Sequence, residues 1–262
     1  MKRTLQIANG IALALTVVIN YLSNTGIFNG NTMSSVSAKY QNLFTPAGYA
    51  FSIWGLIYLG LLAFVIYQGR SIFKKVIEDE TVMQIGWWFV VSCVANSLWV
   101  VAWLYDFTGL SVIIMVALLF SLLMIVLKTS MELDDVPFKK LAFVWWPFSI
   151  YAGWVAVALI ANMAAWLTKI NWNGFGFSEI KWTISMIVIA GLVNLFITWN
   201  RNMREFAIVG VWALIAIAIE NGNRNGAQSI IQTAVIVAAI LLLSSGMHAY
   251  KNRKTLPGIR RA

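Results

Sequence analysis

The side chains of this sequence best placed to do chemistry are asparagines within long apolar segments, namely Asn20, Asn96, Asn162 and Asn194. A primary amide in an apolar environment costs free energy unless it is hydrogen-bonded, so each one should hold either a neighbouring helix or a bound molecule. If successive segments alternate in direction, Asn20, Asn96 and Asn162 lie toward one side of a membrane and Asn194 toward the other. Asn20, Asn96 and Asn162 therefore form a candidate layer. The sequence is consistent with two roles for it, the pairing of helices and the binding of a ligand.

Tryptophan is the second informative residue type, with 13 copies in the chain. Trp54, Trp99 and Trp154 lie well inside apolar segments, near the asparagine layer. Flat rings beside amide groups suit a flat, mostly apolar ligand with a few polar edges, although ordinary aromatic packing produces the same spacing. Eight others lie near segment ends, where membrane interfaces favour aromatic side chains: Trp87, Trp88, Trp103, Trp145, Trp146, Trp166, Trp172 and Trp182.

Residue patterns typical of catalysis are missing from the sequence. It contains no glycine-rich phosphate loop, no Ser-His-Asp set and no paired catalytic carboxylates. One cysteine, Cys93, and one histidine, His248, exclude a metal site built from several such ligands. The acidic clusters at 78–80 and 132–135 are predicted to be solvated loop faces. We therefore predict no catalytic residues, no metal ligands and no enzymatic activity.

Composition predicts the fold class. Hydrophobic residues make up 60% of the 262 residues and charged residues only 11%, against about 25% charged in soluble domains. A helix needs about 20 mostly apolar residues to cross a bilayer. We predict an all-α integral membrane protein with about eight transmembrane helices, at 5–22, 47–68, 85–105, 110–127, 141–167, 182–200, 206–219 and 229–250.

Basic residues predict the topology, because they are concentrated in every second connection between these segments. The chain has 19 lysines and arginines, and 15 of them lie in this set of connections or at the termini. The other four are Lys39, Lys169, Lys181 and Arg224. Positively charged connections stay in the cytoplasm. We predict a multipass protein of the inner (plasma) membrane with both termini cytoplasmic, and this distribution requires the short segment 206–219. Topology then accounts for the net charge of +9 without nucleic-acid binding.

Two further features narrow the function. The middle of each segment lacks Asp, Glu, Lys and Arg, which disfavours ion pumps, proton-coupled carriers and retinal proteins. Glu220, near the end of a segment, is predicted to be an interfacial carboxylate. The long connection 23–46 is rich in Asn, Gly, Ser and Thr, and a loop of this length is often a lid, here around Phe44 and Pro46.

Three segments carry a family resemblance, and their key residues are Trp54, Gly55 and Tyr58, then Asn96 and Trp99, then Trp154 and Asn162. They lie in YQNLFTPAGYAFSIWGLIYLGLLAFVIYQ, VANSLWVVAW and WVAVALIAN, in this order. The stretch 5–168 thereby resembles the TspO/MBR family of tryptophan-rich sensory or translocator proteins. Those proteins show a proline-containing loop with Trp-Gly-x-x-Tyr, then Leu-Asn-x-x-Trp, then Trp-x-x-x-Ala-x-x-x-Asn.

The sequence departs from the family pattern at three places. The double proline of the loop is reduced to Pro46, and Val100 and Val101 replace the prolines after the third-helix tryptophan. The interval from Pro147 to Trp154 is about one helical turn longer than the family pattern. Three further segments follow residue 168, so the resemblance describes a longer variant of a five-helix protein.

The resemblance implies a division into a five-helix bundle, 1–168, and three additional helices with a basic cytoplasmic tail, 169–262. It implies a ligand site formed by Trp54, Tyr58, Asn96, Trp99, Trp154 and Asn162, under a lid with Phe44 and Pro46. Its ligand would be a tetrapyrrole, with porphyrin or haem as examples, or a sterol, bound for sensing or transport. The implied partners are the lipid bilayer and this small molecule, no cofactor is required, and a homodimer stays open.

Two other functions stay open at this point. A secondary transporter of an uncharged or amphipathic molecule would use all eight helices, and a weak repeat of Trp and Ala-Asn in the third and fifth segments is typical of such proteins. A membrane enzyme that modifies a bound porphyrin is the second alternative, and the scarcity of polar catalytic groups disfavours it.

Overall fold

The computed structural model describes residues 1–73, 80–222, 224 and 226–252, and these residues form helices and connections without a β-strand. Some residues used in the sequence predictions lie outside the described ranges: Lys74, Lys75, Glu78, Asp79, Arg253, Lys254, Arg260 and Arg261. The predicted basic tail therefore falls largely outside them.

Eleven helices are present in the described residues: α1 (Lys2–Leu22), α2 (Met33–Lys39), α3 (Ile53–Phe73), α4 (Thr81–Ile85), α5 (Trp88–Leu104), α6 (Thr108–Lys128), α7 (Phe138–Lys140), α8 (Trp146–Lys169), α9 (Glu179–Arg201), α10 (Arg204–Asn221) and α11 (Gln228–Lys251). A 3₁₀ turn, Gly48–Ser52, leads into α3. A π-helical turn, Leu141–Trp145, joins α7 to α8. Each of the eight predicted segments is helical.

Helix length and hydropathy confirm an all-α multipass membrane protein. Six helical stretches are long and apolar enough to cross a bilayer: Lys2–Leu22, Gly48–Ile72, Thr108–Lys128, Phe138–Lys169, Glu179–Arg201 and Gln228–Lys251. A seventh apolar helix, α5, is shorter. The remaining predicted span corresponds to α10, whose charged residues lie at its two ends. Large apolar side chains such as Leu59 and Leu243 point outward, as lipid-facing residues do.

The interior contains two groups of apolar side chains. The first lies among α3, α5, α6 and α8, where the rings of Phe64, Phe89 and Phe148 meet edge to face at centroid distances of 4.9–5.7 Å. The second lies among α9, α10 and α11 and includes Ile187 and Leu214. Helix α10 contributes to both groups, so it joins α9 and α11 to the first five long helices.

Small residues allow α10 to approach its neighbours closely. A Cβ atom at Gly153 of α8 would lie 3.2 Å from the Cα and the carbonyl oxygen of Phe206. A Cβ atom at Gly210 would lie 2.6 Å from Oδ1 of Asn194 on α9. Such close backbone contact is typical of helix pairs in membranes, where dispersion forces replace the hydrophobic effect. These contacts position the three C-terminal helices against the first five.

Candidate functional site

A cavity of about 50 Å³ lies where α3, α5 and α8 meet the connection that contains α2. Six of the residues that line it are aromatic: Tyr40, Phe51, Trp54, Trp99, Trp103 and Trp154. The connection contributes Met33, Thr45 and Pro46, and α8 contributes Asn162 and several alanines. Of the predicted site residues, Trp54, Trp99, Trp154, Asn162 and Pro46 are therefore brought together in one wall.

The aromatic wall is built around Trp54. Its ring stacks on Trp99 at 5.9 Å between centroids and on Tyr58 at 5.7 Å. It meets the edge of Trp154 at 6.4 Å, and Trp154 in turn meets Phe51 at 6.2 Å. Offset-stacked and edge-to-face pairs at these distances are the favoured arrangements of aromatic rings. The indoles of three separate helices thus hold one another in place.

Asn162 fixes the orientation of one of these indoles. Its Oδ1 accepts a hydrogen bond of 2.7 Å from Nε1 of Trp99 and one of 3.1 Å from the hydroxyl of Ser111. The indole N–H of Trp154, by contrast, is buried without a hydrogen-bond partner among the described residues. Leaving such a donor unpaired costs about 1–3 kcal/mol. The indole N–H groups of Trp99 and Trp103 in this wall are thus already hydrogen-bonded, whereas that of Trp154 is not.

Tyr58 and Asn96 lie beneath the cavity rather than in its wall. Asn96 is fully buried, accepts a hydrogen bond of 2.8 Å from Asn20, and donates one of 3.0 Å to the hydroxyl of Tyr151. It thereby joins α1, α5 and α8. The amide of Asn194 donates to the carbonyl of Ala190 on its own helix, 2.8 Å away. Asn20 and Asn96 thus hold helices together. Of the four asparagines, Asn162 is the one that lines the cavity.

An ionic cluster around Asp106 attaches the first half of the connection to the α5–α6 turn. The carboxylate accepts hydrogen bonds from Lys39, at 2.6 Å, and from the hydroxyl of Tyr40, at 2.9 Å. Lys169 at the end of α8 adds an ion pair of 3.6 Å. Partial burial alone would raise the pKa of Asp106, but these hydrogen bonds and the charge of Lys169 hold it below its ordinary value.

The second half of the connection is attached to the C-terminal helices. The amide of Ala47 donates to the carbonyl of Ala216 at 3.0 Å, and Asn221 donates to the carbonyl of Leu43 at 2.9 Å. Glu220, predicted to be an interfacial carboxylate, accepts a hydrogen bond of 2.5 Å from Gln41 and pairs with Arg224 at 3.4 Å.

Phe44 lies apart from the cavity. Its ring is fully buried in the second apolar group, beside Ala164 and the residues of α9–α11. It therefore anchors the connection to the C-terminal helices, whereas Pro46, two residues further on, lines the cavity itself.

Sequence reasoning did not identify several wall residues. Phe51 precedes Trp54 by three positions, and Trp103 follows Trp99 by four, which are the spacings of neighbours on one helix face. Trp154 and Ala158 are likewise four positions apart, so they lie on the same face of α8. Helical spacing could therefore have found these residues, whereas no local signal identifies Asp106 as the partner of the connection.

Substituting asparagine for Asp106 is expected to loosen the connection. Asp106 has a φ of 66°, a left-handed conformation that asparagine tolerates, so the change removes the charge without straining the turn. We expect backbone amides of residues 33–41 to exchange with deuterium faster in the variant, measured by mass spectrometry. Because the pKa is depressed, the stabilising contact is fully present above the ordinary carboxyl value of 3.8 and is lost only as the pH falls through the lower pKa of the folded protein.

Glu80→Gln removes one exposed carboxylate away from this cluster and provides the control. Equal exchange rates in wild type and Asp106→Asn at neutral pH would show that the ionic cluster does not restrain the connection.

Comparison with models of known protein families gives a match over most of the chain. A family model described as TSPO-like protein matches residues 6–247, which includes the three helices after residue 168. No curated protein and no solved structure matches the chain.

Proposed function

Because the chain belongs to the TSPO-like protein family, we propose that it binds a planar hydrophobic ligand, a tetrapyrrole or a sterol-like molecule, in the indole-lined cavity for sensing or transport. The family is one of membrane proteins that bind hydrophobic ligands, rather than a class of enzymes. The observation that carries the proposal is the wall itself, in which the side chain of Trp154 is only 1% exposed and its N–H has no partner among the described residues.

The wall chemistry favours a flat ligand with a hydrogen-bond acceptor at its edge. Four indoles and Phe51 line the cavity, and aromatic rings suit dispersion contact with a conjugated ring system. The free N–H of Trp154 supplies a donor, whereas Trp99 is already held by Asn162. A pyrrole-derived ring system or an oxygen-bearing polycycle offers both the apolar face and the acceptor.

The size of the cavity requires the connection to move when the ligand enters. Ligand pockets usually enclose about 300–1,000 Å³, whereas this cavity encloses about 50 Å³. The connection contributes part of the wall, while the remaining wall lies on or beside long helices. The wall residues from the connection are Met33, Ser37, Tyr40, Thr45 and Pro46. Displacing 33–47 enlarges the cavity without separating α3, α5 and α8.

The test is an absorbance titration of the purified protein in nanodiscs with protoporphyrin IX, with tryptophan fluorescence recorded in parallel. We expect saturable binding with one ligand per chain and quenching of the indoles that line the cavity. Empty nanodiscs, matched in lipid content, correct for partitioning of the porphyrin into the bilayer. If protoporphyrin, haem and cholesterol all partition without saturation, the proposed function is rejected.

A further inference from the structure

A second cavity, of about 450 Å³, lies at the other end of the bundle. It is formed where α9 and α11 end and α8 and α10 begin, together with the connection 129–137. Polar and apolar residues both line it, and they share no member with the indole-lined cavity. The family-based function proposed above does not use it.

Two glutamates, Glu132 and Glu205, both line this cavity. Oε1 of Glu132 and Oε2 of Glu205 are buried, and neither has a hydrogen-bond partner among the described residues. Burial, reinforced by the negative charge of Glu205, raises the pKa of Glu132 to about 8. Asp134 and Asp135 are exposed, as predicted for a solvated loop face, whereas Glu132 is only partly exposed and has one buried carboxyl oxygen. Asn202 donates a 2.9 Å hydrogen bond to the carbonyl of Glu132, and this contact holds the loop inward.

Two other side chains in the cavity carry polar atoms without partners. Trp145 and His248 are each 2% exposed, yet Nε1 of Trp145 and Nδ1 of His248 lack hydrogen-bond partners among the described residues. Nε2 of His248 lies 3.0 Å from Oδ1 of Asn202, so the ring is held in position. Buried polar atoms that lack partners in a cavity of this size indicate a site that a polar molecule completes.

The residues that line the cavity carry more carboxyl groups than basic groups, which favours a cationic ligand. Glu132, Glu205, Asp134 and Asp135 contribute carboxyl groups, whereas Arg204 contributes one guanidinium. A metal ion is disfavoured, because no group of three His, Cys, Asp or Glu side chains in the described part of the chain is arranged to hold one. The apolar wall, with Trp146 and Leu141 beside Trp145, suits the hydrocarbon part of an organic cation.

We propose that this second cavity is a binding site for an amine with a hydrophobic body and a hydrogen-bond-accepting group. Its ammonium N–H groups donate to the carboxyl groups of Glu132 and Glu205, which line the cavity. Its accepting group accepts a hydrogen bond from the indole N–H of Trp145, and its hydrophobic body lies against Trp146 and Leu141. When the ammonium binds, the proton on Glu132 is released to water, because the neighbouring positive charge favours the carboxylate.

The experiment uses tyramine, which has a primary ammonium, an aromatic body and a hydroxyl oxygen. Its matched neutral probe is 4-propylphenol, in which a methyl group replaces the ammonium. Binding to the full chain in nanodiscs is measured by isothermal titration calorimetry. We expect saturable tyramine binding, at least about tenfold weaker binding of 4-propylphenol, and a loss of about tenfold in Glu132→Gln and Glu205→Gln.

The pH dependence gives a second readout. Tyramine should bind more tightly at pH 9 than at pH 7 in the wild type, because Glu132 loses its proton across this interval. The charged and titratable groups around it are Glu205, Arg204, His248, Asp134 and Asp135. In Glu132→Gln the gain between pH 7 and pH 9 should be smaller.

Glu80→Gln, an exposed carboxylate outside the cavity lining, is the control and should bind tyramine as the wild type does. Circular dichroism melting checks that each variant is folded. If folded Glu132→Gln and Glu205→Gln both retain wild-type affinity, or if 4-propylphenol binds as tightly as tyramine, the proposal is overturned. Trp154→Ala should leave tyramine binding unchanged, which separates this site from the indole-lined cavity.

Discussion

Replacing Trp154 with alanine is expected to weaken protoporphyrin binding by at least about tenfold, which corresponds to about 1.4 kcal/mol. The indole contributes a ring edge against Trp54, a contact with Phe51 and an N–H donor that has no other partner among the described residues. All three are lost together in the alanine variant. The measurement is the absorbance titration in nanodiscs, compared with wild type.

Trp154→Phe separates the two contributions of this side chain. Phenylalanine retains an aromatic ring but lacks the N–H, so an intermediate affinity is expected if the donor contributes to binding. Trp166→Ala removes an indole from the same helix that does not line the cavity, and it should leave the titration unchanged. Equal affinities of wild type and Trp154→Ala would contradict the assignment of the cavity as the porphyrin site.

Leucine at Gly153 is expected to produce the largest loss of stability of any single change at the α8–α10 contact. The new side chain would meet the backbone of Phe206, because even its Cβ would lie 3.2 Å from the Cα and carbonyl oxygen there. Backbone atoms cannot rotate away as a flexible side chain can, so the two helices must separate. Overpacking typically costs about 1–3 kcal/mol, and loss of the helix contact adds to it.

Thermal unfolding in detergent, followed by circular dichroism, measures this effect, and we expect a clearly lower midpoint for Gly153→Leu. The matched control is Gly246→Leu on α11, where an added Cβ meets no atom within 4 Å and the side chain faces outward. Its midpoint should equal or exceed that of the wild type, because leucine favours helix more than glycine does. Equal midpoints for the two variants would show that the α8–α10 contact tolerates separation.

The placement of the connection gives the C-terminal helices a role that the five-helix resemblance did not predict. Phe44 is buried among side chains of α9–α11, and the amide of Ala47 is bonded to α10. Asp106 holds the other half of the same connection. Opening the indole-lined cavity therefore breaks contacts on both sides. We expect ligand entry to depend on residues well outside the first five long helices.

The sequence by itself determined the eight helical segments, including the short one that became α10. Each span depends on the transfer free energy of a continuous run of residues into lipid, which is local in sequence. The same reasoning predicts that Trp54, Trp99 and Trp154 lie deeper than the tryptophans at the segment ends. The helical period places a residue on a face, and the ends of the span set its depth.

Only the tertiary structure decided which of these residues meet. Asn96 and Asn162 are the same residue type at similar places in apolar segments, and both join helices. Only Asn162 of the two also lines the indole-lined cavity, where it holds the indole of Trp99. Glu132 lies in a loop rich in carboxylates, yet one of its oxygens is buried in the second cavity. These outcomes depend on the rotation and distance between helices that are far apart in the chain. Hydrophobicity and periodicity fix how each helix sits in lipid, but not which neighbour it faces.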